Sequence, residues 1–189
     1  MNYALPALLL CALVSAMPAA NAIEFNQVQA EKSALTFVSK QMNVPVEGRF
    51  KSLRGKLAFD PARPVAASAE LEIDLASIDA GSKDANAELA GKAWFNTKVF
   101  PVAKFVLTSV KPLGENRFEV AGRMTIKGKT QDLTAPVTLR QEGNSATLEG
   151  SLVLKRADYA IGEGMWADFD TVANEVQVSY RLVATAAAK

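Results

Sequence analysis

Histidine is absent from the 189-residue sequence, and its single cysteine is Cys11. Histidine is the usual general base near neutral pH, and cysteine is the other strong nucleophile and soft metal ligand. Their absence from the rest of the chain excludes Ser-His-Asp and Cys-His catalysis and disfavours zinc, haem and iron–sulfur sites. We therefore predict a protein that is not an enzyme and has no catalytic residue, no cofactor and no metal. Carrying an apolar ligand is the leading class of function.

The chain also lacks an excess of either charge and a second long apolar run. It has 21 Lys and Arg against 20 Asp and Glu, a formal net charge of +1. A basic field that could recruit nucleic acid is missing, so we predict no nucleic-acid partner. Outside the N-terminal segment no apolar stretch approaches membrane-spanning length, so the protein is not expected to span a membrane.

The N-terminal segment, residues 1–22, reads as a cleaved signal peptide. Its apolar stretch, residues 7–14, is too short to cross a bilayer, and it ends in Ala20-Asn21-Ala22, the small-x-small pattern that a signal peptidase cuts. Cys11 would leave with this leader. We predict a periplasmic or secreted protein with one domain over residues 23–184 and a flexible tail over residues 185–189.

The dominant pattern of that domain is alternation of apolar and polar residues, the period of a strand with one buried face. It is clearest in the segments 67–75, 117–127, 133–140, 146–154 and 176–182. Three further segments, 35–38, 46–59 and 102–111, are predicted as strands from their composition. Turn residues between the segments favour consecutive antiparallel hairpins. We predict an all-β fold of eight antiparallel strands closed into a barrel, because closure removes exposed edges.

One segment, residues 82–91, breaks the alternation and predicts a short helix. Ser82 can cap it, Asp84 lies in its first turn, and Gly91 can end it. We expect this insertion to fold over one mouth of the barrel. An outer-membrane barrel is disfavoured, because it would place Glu70, Glu72 and other charged residues inside a small barrel.

Four stretches, in chain order, resemble the YceI family of bacterial exported, polyisoprenoid-binding, lipocalin-like proteins. They are GRF at 48–50 with LRGKLAFD at 53–60, the helix with WFNTKVFPVAKF at 94–105, VAGRMTIKGKT at 120–130, and KRADYAIG at 155–162. The resemblance implies an extended eight-stranded barrel that holds a polyisoprenoid or quinone-type lipid, and it makes a homodimer an expectation. Asn96 and Lys127 stand where the family often has Asp and His.

A barrel of eight strands can be filled by its own side chains or can hold one small ligand. The inward-facing set and one mouth residue form the candidate ligand-binding lining: Phe37, Phe50, Phe59, Ile73, Phe105, Met124, Ile126, Val137, Leu152, Trp166 and Val178. Periodicity alone favours an ordinary solid core, whereas the resemblance favours a cavity.

The segment 156–171 is the most polar candidate region. Trp166 could pack on an isoprenoid with Arg156 near a headgroup, or Arg156 could pair with Asp158 or Asp168 to fix the turn. Asp168 and Asp170 lack the spacing of a calcium loop. Two alternatives to a lipid carrier stay open: an envelope stress or interaction module with a filled core, and an exported enzyme that uses carboxylates.

Overall fold

The computed structural model describes residues 23–187, and the expected signal peptide lies outside them. Eleven strands, all paired antiparallel, form one curled sheet in this part of the chain. They are β1 (Phe25–Val28), β2 (Ala34–Gln41), β3 (Val44–Phe50), β4 (Leu53–Ala58), β5 (Ser68–Asp74), β6 (Ile78–Asp79), β7 (Val102–Gly114), β8 (Arg117–Ile126), β9 (Lys129–Glu142), β10 (Ser145–Lys155) and β11 (Glu175–Ala186). The order across the sheet is β4-β5-β7-β8-β9-β10-β11-β2-β3-β6, and β1 pairs with β11.

The expected all-β barrel architecture is confirmed, but the expected count of eight strands is wrong. The segment 46–59 is two strands, because the backbone leaves the ladder at Lys51 and Ser52, whose N–H groups both donate to Ser77 Oγ at 3.1 Å. The strands β1 and β6 carry too few alternating residues to show as strands in the sequence. Strand β11 runs to Ala186, two residues into the segment expected to be a tail.

Strand β1 closes one end of the sheet. It pairs with β11, and Phe25 exchanges two backbone hydrogen bonds with Phe59, just beyond β4, at 2.8 and 3.0 Å. Phe25 is completely buried there. The pairing therefore runs in a ring from β4 through β11 and β1 back to Phe59, which leaves no free edge at this end.

The helix α1 (Lys83–Ala90) confirms the expected insertion. Ser82 Oγ accepts a hydrogen bond from Ala85 N at 3.1 Å, Asp84 lies in the first turn, and Gly91 follows the last residue. None of its residues is fully buried, so the helix covers other elements without entering the core. No helix in residues 23–187 is long and apolar enough to cross a membrane.

Two separate clusters of buried side chains occupy the two ends of the sheet. Phe25, Phe59 and Phe118 belong to the cluster at the end closed by β1. Trp94 and Tyr159 belong to the cluster at the end that carries α1. A bulge in β7 between Leu107 and Ser109 shifts the alternation, which explains why Val110 faces the same interior as Phe105 and Leu107. The space between the two clusters is the candidate site.

Candidate functional site

The inside of the curled sheet holds a cavity of about 450 Å³. Its walls come from the inner faces of ten strands, β2 to β11, and α1 contributes Ala85, Glu88 and Leu89 at one end. Nearly all the lining side chains are aliphatic or aromatic. A cavity of this size is in the range of sites for small organic ligands, and its lining suits an apolar one.

All eleven residues predicted to bind the ligand line this one cavity. They are Phe37, Phe50, Phe59, Ile73, Phe105, Met124, Ile126, Val137, Leu152, Trp166 and Val178. Alternation singled out six of them, Ile73, Met124, Ile126, Val137, Leu152 and Val178, because every second residue of a strand faces the same side. Phe37, Phe50, Phe59 and Phe105 come from the segments that were predicted as strands from composition. Their contact with a ligand stays a prediction.

Two glycines on the inner face help to keep the cavity open, a feature that the sequence did not indicate. A Cβ atom on Gly48 would lie 2.3 Å from the ring of Phe37, and one on Gly122 would lie 2.3 Å from the ring of Phe105. The tip of each ring therefore covers a glycine of a neighbouring strand. A larger residue at either position would push the ring into the interior space.

Aromatic contacts border the cavity at both ends. At the end closed by β1, Phe59 and Phe118 meet edge to face with ring centroids 5.6 Å apart. At the other end, Trp94 and Trp166 have centroids 5.6 Å apart. Such pairs add about 0.5–1.5 kcal/mol each beyond the burial of their area, so each helps to hold its end of the cavity in place.

The cavity reaches solvent between the β2–β3 hairpin and α1. Five lining residues are exposed: Ala34, Thr36 and Arg181 along β2 and β11, and Gln41 and Glu88 at the α1 end, where we place the opening. Trp166 spans the same place, since its Nε1–H donates to Glu88 Oε1 at 2.8 Å. This hydrogen bond, which joins residues 78 positions apart, ties α1 to the loop that carries Trp166.

Arg156 holds the loop that follows β10. It is 3% exposed, and its five N–H groups donate to the backbone carbonyls of Ile161, Gly162, Trp166, Val172 and Ala173 at 2.7–3.1 Å. The loop-fixing role considered from the sequence is thus observed, but its partners are carbonyls, not Asp158 or Asp168. Because all five donors are used, Arg156 has none left for a headgroup.

Lys127 is a second tie to the same loop. Its Nζ donates to Ala160 O at 2.6 Å and to Glu163 Oε2 at 2.8 Å, and its side chain is 7% exposed. The hydrogen bond from Lys127 lowers the pKa of Glu163 below its usual value. Lys127, which stands where the family often has His, therefore has a structural role in fixing the loop.

The geometry offers little to acid–base chemistry. Glu88, at the opening, is the single carboxylate among the cavity-lining residues of the described chain. Asp168 accepts from Asp170 N and Thr171 Oγ1 at 3.0 and 3.2 Å, so it caps its own turn. Residues 23–187 contain no cluster of three or more potential metal ligands. What the arrangement supports best is enclosure of an apolar molecule.

The sequence model of the YceI-like domain matches residues 27–184, nearly all of the part that the structure describes. This chain belongs to the YceI family. A UPF0312 protein of Pseudomonas fluorescens is 31% identical over 144 residues, which span 70% of this chain and 71% of that protein. This chain also resembles solved structures: it superposes on BcnA of Burkholderia cenocepacia with a TM-score of 0.82 at 46% identity.

The match to BcnA covers 84% of this chain and all of BcnA. A second structure, described as a polyisoprenoid binding domain from Saccharophagus degradans implicated in plant cell wall breakdown, has a TM-score of 0.69 at 21% identity. It covers 87% of this chain and 99% of that domain, and at this identity it supports the fold alone. The YceI fold that the sequence resembled is thereby confirmed.

Two tyrosines at the walls of the cavity, the buried Tyr159 and the partly buried Tyr180, predict loss of stability in alkali. Burial raises the pKa of Tyr159 and of Tyr180 from 10.0 to about 12, and the Asp158 carboxylate adds to the effect at Tyr159. A folded-state pKa above the unfolded value stabilises the fold fully below pH 10, and this contribution is lost as the pH rises towards 12. We expect urea denaturation to show a falling free energy of unfolding across this window. Replacing both tyrosines by Phe should flatten the fall, and an unchanged slope would contradict this assignment.

Proposed function

We propose that this protein is an exported, non-catalytic carrier that holds a polyisoprenoid chain, quinone-like or polyprenyl, in its cavity. The observation that carries the proposal is one continuous apolar cavity of about 450 Å³ with a solvent opening beside α1. A long hydrocarbon tail needs shape and dryness, and both are supplied here without any reactive side chain. Transport, storage and sensing would all use this same site.

Burial of the tail drives binding. Removing apolar surface from water contributes about 25 cal/mol per Å², or about 0.8 kcal/mol for each buried methylene. Association costs on the order of 4–15 kcal/mol, so a short chain would bind weakly and a long one tightly. The cavity therefore selects for tail length before it selects for a headgroup.

The polyisoprenoid assignment is supported by family membership and by the Saccharophagus degradans domain, which is described as polyisoprenoid-binding. Export is supported by the signal-peptide pattern of residues 1–22, which lie outside the described part of the chain. In the periplasm, an apolar tail would otherwise have to cross water unprotected. A dry interior is the simplest means of carrying it.

Uptake of defined lipids tests this function. The purified protein should bind a long polyprenol or a polyprenyl quinone, delivered from ethanol, with one ligand per chain, and a short prenol should bind far more weakly. Isothermal titration or displacement of a fluorescent fatty probe would measure it. No uptake of any polyprenyl compound would overturn the proposal and would favour the interaction module with a filled core.

The bond between Trp166 and Glu88 predicts a latch over the opening. Trp166→Phe keeps an aromatic ring and removes the N–H donor, so the loop and α1 should separate more easily. Losing one such hydrogen bond, about 1 kcal/mol, should speed release of bound lipid about fivefold. Stopped-flow transfer to an acceptor protein measures the release rate. Thr130→Val, which removes an exposed hydrogen bond to Thr125 elsewhere, is the control, and equal release rates for the two variants would contradict the latch.

A further inference from the structure

Four large apolar side chains lie exposed in the two segments beside the opening. Met42 and Val44, in the β2–β3 hairpin, are 66% and 62% exposed, and Met165 and Phe169, in the loop after β10, are 81% and 50% exposed. We call these four residues the rim patch. Clusters of exposed apolar side chains mark surfaces that bind proteins, ligands or membranes, whereas single exposed ones are common.

The two segments of the rim patch are held together by backbone contacts. Met42 N donates to Thr171 O and Ala173 N donates to Lys40 O, both at 2.9 Å. Gln41 and Val172 form an isolated β-bridge between them. The patch is therefore a fixed arrangement of the fold, built from residues that are more than 120 positions apart in the chain.

The turn that presents Met42 gains nothing from an apolar residue. Met42 and Asn43 have φ of +49° and +64°, the left-handed values of a type I′ hairpin turn, which favours Asn, Asp or Gly at both places. Methionine at such a φ costs free energy, and its side chain extends into solvent instead of into the core. A strained and exposed apolar side chain at a hairpin tip indicates a role in binding.

The rim patch borders the cavity opening. Gln41, next to Met42, and Trp166, next to Met165, both line the cavity. A molecule that leaves the cavity by this opening therefore passes these apolar side chains first. The patch continues the apolar lining outward, past Gln41, to the surface.

The nearby carboxylates are largely engaged within the fold. Glu163 pairs with Lys127, Glu88 accepts from Trp166, and Asp168 accepts from its own turn. Of these three, only Glu163 pairs with a cation, while Glu88 and Asp168 accept from neutral donors and keep their charge. Apolar side chains flanked by such carboxylates suit the surface of a zwitterionic bilayer better than that of an anionic one. Met, Val and Phe are also residues that enter the boundary of headgroups and acyl chains at low cost.

We propose that the rim patch inserts into the surface of a lipid bilayer and sets the cavity opening against it. This inference rests on the proposed carrier function, because a polyisoprenoid tail resides in membranes. Docked in this way, the tail passes from the acyl region into the cavity without crossing bulk water. Insertion is shallow and reversible, since four side chains bury far less apolar surface than an anchoring chain or helix.

The test compares vesicle binding with uptake from ethanol. The double variant Met42→Ser/Met165→Ser should bind phosphatidylcholine vesicles about tenfold more weakly than the parent chain in co-sedimentation, since two large apolar side chains are lost. It should also extract a fluorescent polyprenyl probe from those vesicles at least several-fold more slowly. Uptake of the same probe from ethanol should be unchanged, because neither residue lines the cavity.

A matched control is the variant Val65→Ser/Leu113→Ser, which removes two other exposed apolar side chains. It should bind vesicles like the parent. Equal vesicle binding by both double variants, with uptake from ethanol intact, would overturn the docking surface and leave the carrier function standing. A change in oligomeric mass with no change in vesicle binding would instead assign the patch to contact between two copies. Failure of all uptake from ethanol would overturn the carrier function itself.

Discussion

Met124→Trp should abolish uptake of polyprenyl lipids while the protein stays folded. Met124 lies on the inner face of β8, lines the cavity and is only partly buried, so its side chain faces free space. An indole there would fill volume that a tail needs. We expect the affinity to fall at least about a hundredfold, since several methylenes at about 0.8 kcal/mol each would lose their place. Titration with a long polyprenol measures the loss.

Arg123→Trp is the matched control for this prediction. It adds the same indole to the neighbouring, exposed position of β8, which faces away from the cavity. Circular dichroism should show both variants folded, and only the Met124 variant should lose uptake. Ile126 is a poorer test position than Met124, because Ile126 is 7% exposed in a packed cluster and a larger residue would strain it. Full uptake by Met124→Trp would show that the tail lies elsewhere.

Arg156→Met should destabilise the fold strongly. The five backbone carbonyls that accept from Arg156 would lose their donors, and the loop from β10 to β11 would lose its central tie. We expect the free energy of unfolding to fall by about 3–5 kcal/mol, the range for breaking a buried polar network. Urea denaturation followed by tryptophan fluorescence measures it. Methionine keeps the apolar stem, so the loss reports on the guanidinium.

Two further variants define what that result would mean. Arg54→Met removes an exposed arginine that pairs with Glu72, and it should cost at most about 1 kcal/mol. Arg156→Lys keeps the charge with three donors in place of five, so it should lie between the parent and Arg156→Met. A cost for Arg156→Met no larger than that for Arg54→Met would contradict the structural role assigned here.

The sequence predicted what depends on local periodicity. The alternation in 117–127 and 176–182 matches β8 and β11, and the capping residues Ser82 and Gly91 bound α1 as expected. Six of the eleven predicted lining residues follow from the same alternation, because inward-facing positions of every strand meet inside a curled sheet. The family resemblance added the prediction that this interior is a cavity and not a solid core.

The remaining features depend on contacts between distant parts of the chain. Strand β1 forms because Phe25 reaches both β11 and Phe59, and its four residues show no alternation of their own. A loop-fixing role for Arg156 was one of the two roles considered from the sequence. Its actual partners are backbone carbonyls, which the residue types of the loop do not indicate. The opening beside Gln41 and Glu88 depends on the hydrogen bond from Trp166 to Glu88 and on the bridge between Gln41 and Val172, and residue spacing indicates neither pair.

The central claim is that the cavity carries a polyisoprenoid chain, and native mass spectrometry of the protein purified from its own cell envelope tests it most directly. An organic extract of the same sample, analysed alongside, would identify what is released. The account predicts a bound mass equal to that of a polyprenyl quinone or polyprenyl alcohol, at one ligand per chain, and its loss in Met124→Trp. A clean mass of the protein alone, with no uptake of added polyprenyl compounds, would contradict it.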